Sequence, residues 1–284
     1  MRIAVIGSGI SGLSAAYFLG KNHEVTIFEK SDRLGGHTHT HQLELETKIK
    51  VDSGFIVLND KNYKNLIKFF KEIGIDLYQT EMSFSVNSKS LIWNSKEFFN
   101  FSFLTSLKKI KLLIDIVRFN YLAKNLKSKE NIGEWLKTFK FSNLFVESYL
   151  LPMTSAIWSS TSKEIKNYPA ESMNNFLNNH GLLNLYDRPQ WYSVLGGSST
   201  YVEKLLDLKV FDVKLNSEVK INRSENKIFI SNKDESYEFD LLIMANHPNQ
   251  ILECINDLNE KEKNAIDSIK YQKNITILLS LIHI

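Results

Sequence analysis

The stretch that most constrains this chain runs from Met1 to Gly36. An apolar run, Ile3-Ala4-Val5-Ile6, leads into Gly7-Ser8-Gly9-Ile10-Ser11-Gly12. An Ala/Leu-rich helical stretch follows from Leu13 to Leu19, then a second short strand, Glu24 to Phe28, ending on Glu29. Strand, glycine turn, helix, strand and acid come in the order of a dinucleotide-binding βαβ unit, with the acid about 20 residues past the glycines. Each glycine has a task. Gly7 permits the tight turn, Gly9 lets the backbone approach a diphosphate, and Gly12 lets helix and sheet pack closely. The diphosphate is expected on the helix N-terminus, where free N–H groups and the helix dipole favour an anion. Glu29 is expected to accept hydrogen bonds from a ribose, and Ser11 and Lys30 complete this first set of candidate contacts. A glycine-rich turn in an ordinary α/β protein is the alternative, but it requires neither the flanking strands nor the acid.

A nicotinamide domain would run from Glu29 straight into its next helix. Here the chain continues Arg33-Leu34-Gly35-Gly36-His37-Thr38. A second glycine pair just past the acid resembles the flavoprotein superfamily of amine oxidases, phytoene-type desaturases and protoporphyrinogen oxidases. That resemblance implies that Gly35 and Gly36 let the chain pass close to an FAD diphosphate. Amine oxidases usually place an arginine directly after the pair, where this chain has His37, so Arg33 or main-chain N–H groups would supply that contact.

Composition sets the outer bounds. With 284 residues, 43% of them hydrophobic, the chain can bury a sizeable core in one large or two modest domains. A net charge of +3 is too small to argue for nucleic acid, and no nucleic-acid-binding motif accompanies it. The single cysteine, Cys254, excludes an intramolecular disulfide framework and fits a reducing compartment. The glycines inside the N-terminal apolar stretch argue against a signal peptide. No run approaches the roughly 18 consecutive apolar residues of a membrane span. A cytoplasmic protein is expected, peripheral to a membrane at most.

Further along, His39–Glu46 and Ile49–Leu58 read as strands around a Thr47-Lys48 turn. His37, His39 and His41 fall on one face of an extended segment, but no Cys, Asp or Glu stands at a spacing that completes a metal site. Asn62 to Gly74 reads as an amphipathic helix, and Met82–Val86 with Leu91–Trp93 as a short hairpin. From Phe98 to about Lys129 the pattern is helical, with Ile110, Leu113, Ile114, Val117 and Tyr121 flanked by Lys108, Lys109, Lys111, Arg118, Lys124 and Lys127. A basic amphipathic helix of this kind can lie on an anionic membrane; its commoner use is as one solvated and one buried face of a cap domain. Glu130–Ser148 is expected to continue as helix and to stop at Pro152. Ser172–Gly181 reads as a further helix. The glycine pair in Leu195-Gly196-Gly197-Ser198, with a serine or threonine as helix cap, suits either a cofactor approach or a simple turn. Strands are expected over Lys214–Ile221, Lys227–Ser231 and Ser236–Phe239. Asp240–Ala245 reads as a buried parallel strand.

The later motifs narrow the resemblance. Asp52-Ser53-Gly54-Phe55, Ala156-Ile157-Trp158-Ser159, Arg188-Pro189-Gln190-Trp191 and Gly196-Gly197-Ser198 make the chain similar to the bacterial amine-oxidase-like FAD/NAD(P)-binding flavoproteins, whose relatives are often linked to cyclopropane-fatty-acid synthases. The resemblance spans nearly the whole chain. It implies an α/β fold with a Rossmann-like FAD-binding domain of the glutathione-reductase type, βαβ plus β-meander, into which a helical or mixed substrate (cap) domain is inserted. Residues 1–80 and 190–253 would form the FAD-binding domain, and 81–189 with 254–278 the cap. Gly54 would lie against the flavin side and Val219 would hold the adenine edge through its backbone. The return segment that contacts the flavin ring in this superfamily has no counterpart. The last six residues, 279–284, read as a translated sequencing adapter, so a truncated reading frame with an artefactual tail and weak FAD retention is expected.

The activity implied is that of an FAD-dependent oxidoreductase taking a hydride from a C–H bond of an organic substrate, with lipid-like molecules among the candidates. Reoxidation would be by oxygen or a quinone, since a separate nicotinamide domain is not evident. No catalytic acid or base is assigned; His37, Trp158 and Arg188 are the residues worth mutating. A non-catalytic escort protein and an ordinary NAD-binding protein are the alternatives.

Overall fold

β1 (Arg2–Ile6) and β2 (Glu24–Phe28) carry apolar residues on both faces, and such strands need cover above and below. They form the middle of a four-stranded parallel sheet, in the order Asp212–Lys214, β2, β1, Leu241–Met244. Helix α1 (Ile10–Gly20) joins β1 to β2 and buries Leu13, Ala16 and Tyr17. The register sets Ile6 level with both Phe28 and Met244, so the C-terminal ends of three strands open at one edge. This computed structural model describes residues 1–44, 47–88, 91–95, 106–124, 126–184, 188–233, 235–271, 275 and 277. The first residues of the expected helical run at Phe98 and the segment 279–284 lie outside them.

Contacts divide the chain into two units, Met1–Val57 with Asn65–Tyr78 and Ser193–Ile284, and Leu58–Lys64 with Gln79–Tyr192. In the first, a three-stranded antiparallel meander (Lys220–Arg223, Ile228–Ser231, Ser236–Phe239) packs Ile221, Ile230 and Phe239 against Ala4, Ile6, Phe28 and Val219. The single strand expected over Lys214–Ile221 is in fact two. Lys214 ends a strand of the parallel sheet, and Asn216, at φ +51°, turns the chain toward the meander. That turn is tied down by two main-chain bonds, Asn216 N–H to Ser31 and Ser217 N–H to Glu29. Leu241–Met244 pairs in parallel with β1 but is not buried as expected; Leu241 is 41% exposed. Among the described residues β1 is its only partner, and an edge strand keeps one open side.

The hairpin pairs Thr40–Glu44 with Lys48–Asp52, so Lys48, expected in the turn, instead opens the second strand opposite Glu44, and that strand stops well short of Leu58. Asp52 explains the stop. Its carboxylate accepts from the Thr40 hydroxyl at 2.5 Å and from the Ser198 N–H and hydroxyl at 3.0 and 2.9 Å. Ser198 therefore does not cap its own helix, Ser199–Asp207, as the sequence suggested. Residues 254–278, expected in the cap, group with the first unit instead. Ile255 joins the meander's apolar cluster, and Arg223 holds Asp257 at 2.8 Å and Glu262 at 2.8 Å. The Arg223 hydrogen bonds draw the Glu262 carboxyl down to about 2. Leu58–Lys64, placed by sequence in the FAD domain, groups with the second unit, where Leu58 and Asn59 pair with Tyr192 and Trp191.

The second unit is mostly helical and is centred on Phe119, Trp135, Phe141 and Phe145. Its expected continuous helix breaks after Ile132–Thr138, where Lys140 takes φ +51°. Helix resumes at Asn143, capped by Ser142, and runs through Pro152 to Trp158 rather than stopping there. A π-helical turn, Val146–Leu150, makes this tolerable, with the Leu151 N–H reaching back to the Val146 carbonyl. Proline leaves the carbonyl four residues earlier without its helical donor. That carbonyl belongs to Ser148, and the Trp93 indole N–H donates to it at 2.7 Å. Trp93→Phe puts a smaller ring without a donor in place of the indole and takes from the buried Ser148 carbonyl the N–H that reaches it. A loss of about 1–3 kcal/mol in urea unfolding is expected.

Candidate functional site

A cavity of about 700 Å³ opens at the C-terminal edge of the parallel sheet, entirely within the nucleotide unit. Its wall is built from the turn after β1, the end of β2, the loop from Arg33 to Thr38, the turn before the meander, and the residues following Leu241–Met244. Ligands of open α/β sheets bind at this end of the strands.

The glycines differ in what they do. A Cβ on Gly12 would stand 1.9 Å from the Gly7 carbonyl oxygen, so the chain's own backbone requires this glycine. At Gly9 an added Cβ would meet nothing within 4 Å. Gly9 lines the cavity, and the space beside it is left open by the protein. It also stands at the N-cap of α1, with no side chain capping the helix and no acid in its first turn. The first N–H groups of α1, including that of Ser11, are thus available to an anion. Gly36, at φ +57°, comes so near that its Cβ would lie 3.0 Å from the Gly9 Cα. The glycine pair closes over the first turn.

Glu29 sits half-buried at the end of β2. One carboxylate oxygen accepts from the N–H and hydroxyl of Ser8, at 2.9 and 2.5 Å, and the other from the Ser31 N–H at 2.9 Å. Burial on its own would push this carboxyl above its ordinary pKa, but these hydrogen bonds outweigh burial and hold it below that value. An ionised carboxylate keeps lone pairs free for further donors. Lys30 is engaged with Glu218 at 2.7 Å, which raises its ammonium above the usual range. Arg33 spends its guanidinium on the Gly36 and Thr38 carbonyls, at 2.9 and 3.1 Å, and so pins the glycine-pair loop. Val219 lines the wall while its side chain belongs to the meander cluster.

His37 also lines the wall, its ring stacked on His247 at 5.4 Å, whereas His39 and His41 lie against each other at 3.9 Å. The three histidines therefore do not share a face, because the strand begins only at Thr40. Burial and the neighbouring His37 lower the His247 imidazole. Gly12 and Gly54 are not in the wall. Gly54 is required by the His37 carbonyl, which a Cβ there would approach to 1.9 Å. Gly196 and Gly197 are likewise absent from it; a Cβ on Gly197 would strike Thr40 at 2.6 Å, so this pair serves packing. Trp158 and Arg188 belong to the second unit, where Trp158 packs on Phe176 at 5.2 Å and Arg188 donates to the Asn184 carbonyl.

Sequence reasoning missed Ser8, Tyr201, Asn246 and His247, all of which line the cavity. Asn246 and His247 had a signal, as the first polar residues past an apolar parallel strand. Tyr201 had none; its hydroxyl reaches Thr38 at 2.6 Å across more than half the chain. The Asn246 side-chain carbonyl is buried with no partner in the protein, a polar atom left for a ligand.

With this geometry in place, comparison with known proteins settles the family. The model of flavin-containing amine oxidoreductases matches residues 10–281. The chain belongs to that family. Solved structures agree on the fold: a putrescine oxidase superposes at a TM-score of 0.68 with 17% identity, covering 94% of this chain and 63% of that one. Cyclohexylamine oxidase from Brevibacterium oxydans superposes at 0.67 with 19% identity, covering 94% and 62%. An oxidoreductase from Methanosarcina mazei gives 0.65 at 22% identity, covering 94% and 64%. The chain thus spans just under two thirds of each of these structures. Among curated relatives, the L-amino-acid oxidase of Demansia vestigiata is 37% identical over 79 residues, 28% of this chain and 15% of that protein. The cofactor of this flavin-containing family is FAD, and the cavity fits its ADP half. The open flank of Gly9, the uncapped α1 N-terminus, the ionised Glu29 and the unpaired Asn246 carbonyl are what a diphosphate and a ribose require.

Proposed function

We propose that the protein is an FAD-dependent oxidoreductase acting on a small organic, lipid-like substrate. The observation that carries this is the uncapped N-terminus of α1 facing a cavity in which Gly9 alone of the turn glycines is free of the protein's own atoms. FAD, when bound, accepts a hydride from a substrate C–H bond. The protein's part is to hold and orient. The α1 N–H groups receive the diphosphate, Glu29 the ribose hydroxyls, and Val219 and Phe28 supply apolar wall for the adenine. Arg33 keeps Gly35 and Gly36 closed over the turn. The apolar residues Phe55, Leu66 and Phe70 on the wall exclude water. A cytoplasmic setting is part of the same reading, supported by the lone half-buried thiol of Cys254, which burial holds above its usual range.

The purified chain titrated with FAD should turn yellow and show flavin bands that co-elute with protein, while NAD should not compete. Anaerobic bleaching of those bands by a lipid-like donor, with recovery in air, is the expected catalytic signature. A colourless protein that takes up no added FAD would defeat the reading.

A further inference from the structure

The helix Leu107–Ala123 has two apolar faces, and among the described residues one is buried in the core while the other is largely exposed. Leu112, Ile116, Phe119 and Ala123 are buried in the core of the second unit. On the opposite side Leu107, Ile110, Ile114, Val117 and Tyr121 recur at intervals of three and four, within a stripe about 80° wide at helical spacing. Leu107 is 86% exposed, Ile114 61%, Val117 47% and Tyr121 80%. An exposed row of large apolar residues on a helix already anchored by its other face is an interaction surface rather than a stray feature.

The charges around the stripe identify the occupant. Lys111 borders one edge and Lys124 the other, and Lys108 stands exposed beyond the first, while Arg118 turns to the Phe139 carbonyl and the Asp115 carboxylate. The acid of this helix, Asp115, is buried and faces inward, where it accepts from the Ser142 N–H. The stripe is thus framed by exposed lysines, and the acid of the helix is taken up by Ser142 and Arg118. A second copy of this chain would bring the same cations against each other, which is unfavourable. A bilayer with anionic headgroups receives both parts at once, the apolar row in the acyl boundary and the lysines at the phosphates. Tyr121 suits the interface, where amphipathic rings collect. At 17 residues the helix is about 25 Å long and would lie in the surface; no helix among the described residues is long and apolar enough to cross a membrane.

We propose that the outer face of Leu107–Ala123 docks this protein on an anionic lipid surface. The inference stands independently of the redox reading, because it concerns a surface of the second unit alone. It is tested by sedimenting the full chain with vesicles of phosphatidylcholine alone or of equal parts phosphatidylcholine and phosphatidylglycerol. Binding to the anionic vesicles only, weakened by added salt, is expected. K111Q/K124Q should lower partitioning roughly 25-fold, at about fivefold per lysine. I114S/V117S/Y121S should abolish it while circular dichroism and the melting temperature stay unchanged, since all three side chains are exposed. Equal binding to neutral vesicles, or binding untouched by both variants, would overturn the proposal. So would an absence of vesicle binding, including the case of a dimer that the serine variant dissociates.

Discussion

Replacing Gly12 with alanine is expected to unfold the nucleotide unit, whereas the same change at Gly9 leaves it folded and empties it of FAD. The two glycines are three residues apart in one turn, yet they answer to different neighbours. A methyl on Gly12 would sit 1.9 Å from the Gly7 carbonyl oxygen and 3.3 Å from the Ala245 Cβ. Both the oxygen and the carbon belong to rigid strand ends, so the helix itself would have to shift away from the sheet. A cost of at least about 3 kcal/mol follows, seen as a lowered urea midpoint or as insoluble protein. A methyl on Gly9 meets no protein atom, and Gly9 already has extended dihedrals, φ −66° and ψ 177°, that alanine adopts without strain. Stability should stay within about 1 kcal/mol. The methyl instead occupies the place where a diphosphate would approach the backbone, and FAD affinity should fall by about 100-fold, about 2.7 kcal/mol. Equilibrium titration by flavin fluorescence, run beside urea unfolding, separates the two. Unchanged FAD affinity in Gly9→Ala would mean that the cofactor lies elsewhere.

The second large effect is expected at Glu29. Its carboxylate joins three donors: the Ser8 N–H, the Ser8 hydroxyl and the Ser31 N–H. Ser8 is buried beneath the Glu29 side chain, so Glu29→Ala takes away the acceptor that its N–H and hydroxyl share. We expect about 2–4 kcal/mol lost from stability, because hydrogen bonds to a charged acceptor are the strong ones and an orphaned buried donor is costly. The apo-protein should show this before any cofactor is added. The sign with pH follows from the direction of the shift. The folded-state value lies below the ordinary 4.5, so the stabilisation is fully present above the unfolded value and is lost as pH falls through the folded one. The gap in stability between wild type and Glu29→Gln should therefore be widest near neutrality and narrow below about pH 4.5. A gap that widened in acid would refute the assignment.

Much of the fold was legible because its signals are local. The β1 run, the glycine spacing and the acid at the end of β2 state a βαβ unit outright, and the Thr47-Lys48 turn states a hairpin. Helix and strand limits were read less well where a distant residue intervenes. Pro152 normally ends a helix, but Trp93, far off in sequence, supplies the Ser148 carbonyl with its donor and lets the helix pass. Asp52 stops a strand because Ser198 draws on its carboxylate. Neither rule of local propensity failed; a tertiary hydrogen bond changed what the local group needed.

The sequence by itself determined that this chain builds a dinucleotide cradle, since the spacing of Gly7, Gly9, Gly12 and Glu29 leaves a backbone few other ways to fold and a helix N-terminus few other ways to satisfy its N–H groups. The tertiary structure decided how the work is divided among the residues so named. Of the two glycines at the heart of the motif, only Gly9 is left open to a ligand. Arg33 is bound to carbonyls of its own loop and Lys30 to Glu218, and Asn246 and His247 join them in the wall. Spacing along a chain fixes which atoms can come near, but which of them remain free is set by the partners that packing brings from elsewhere.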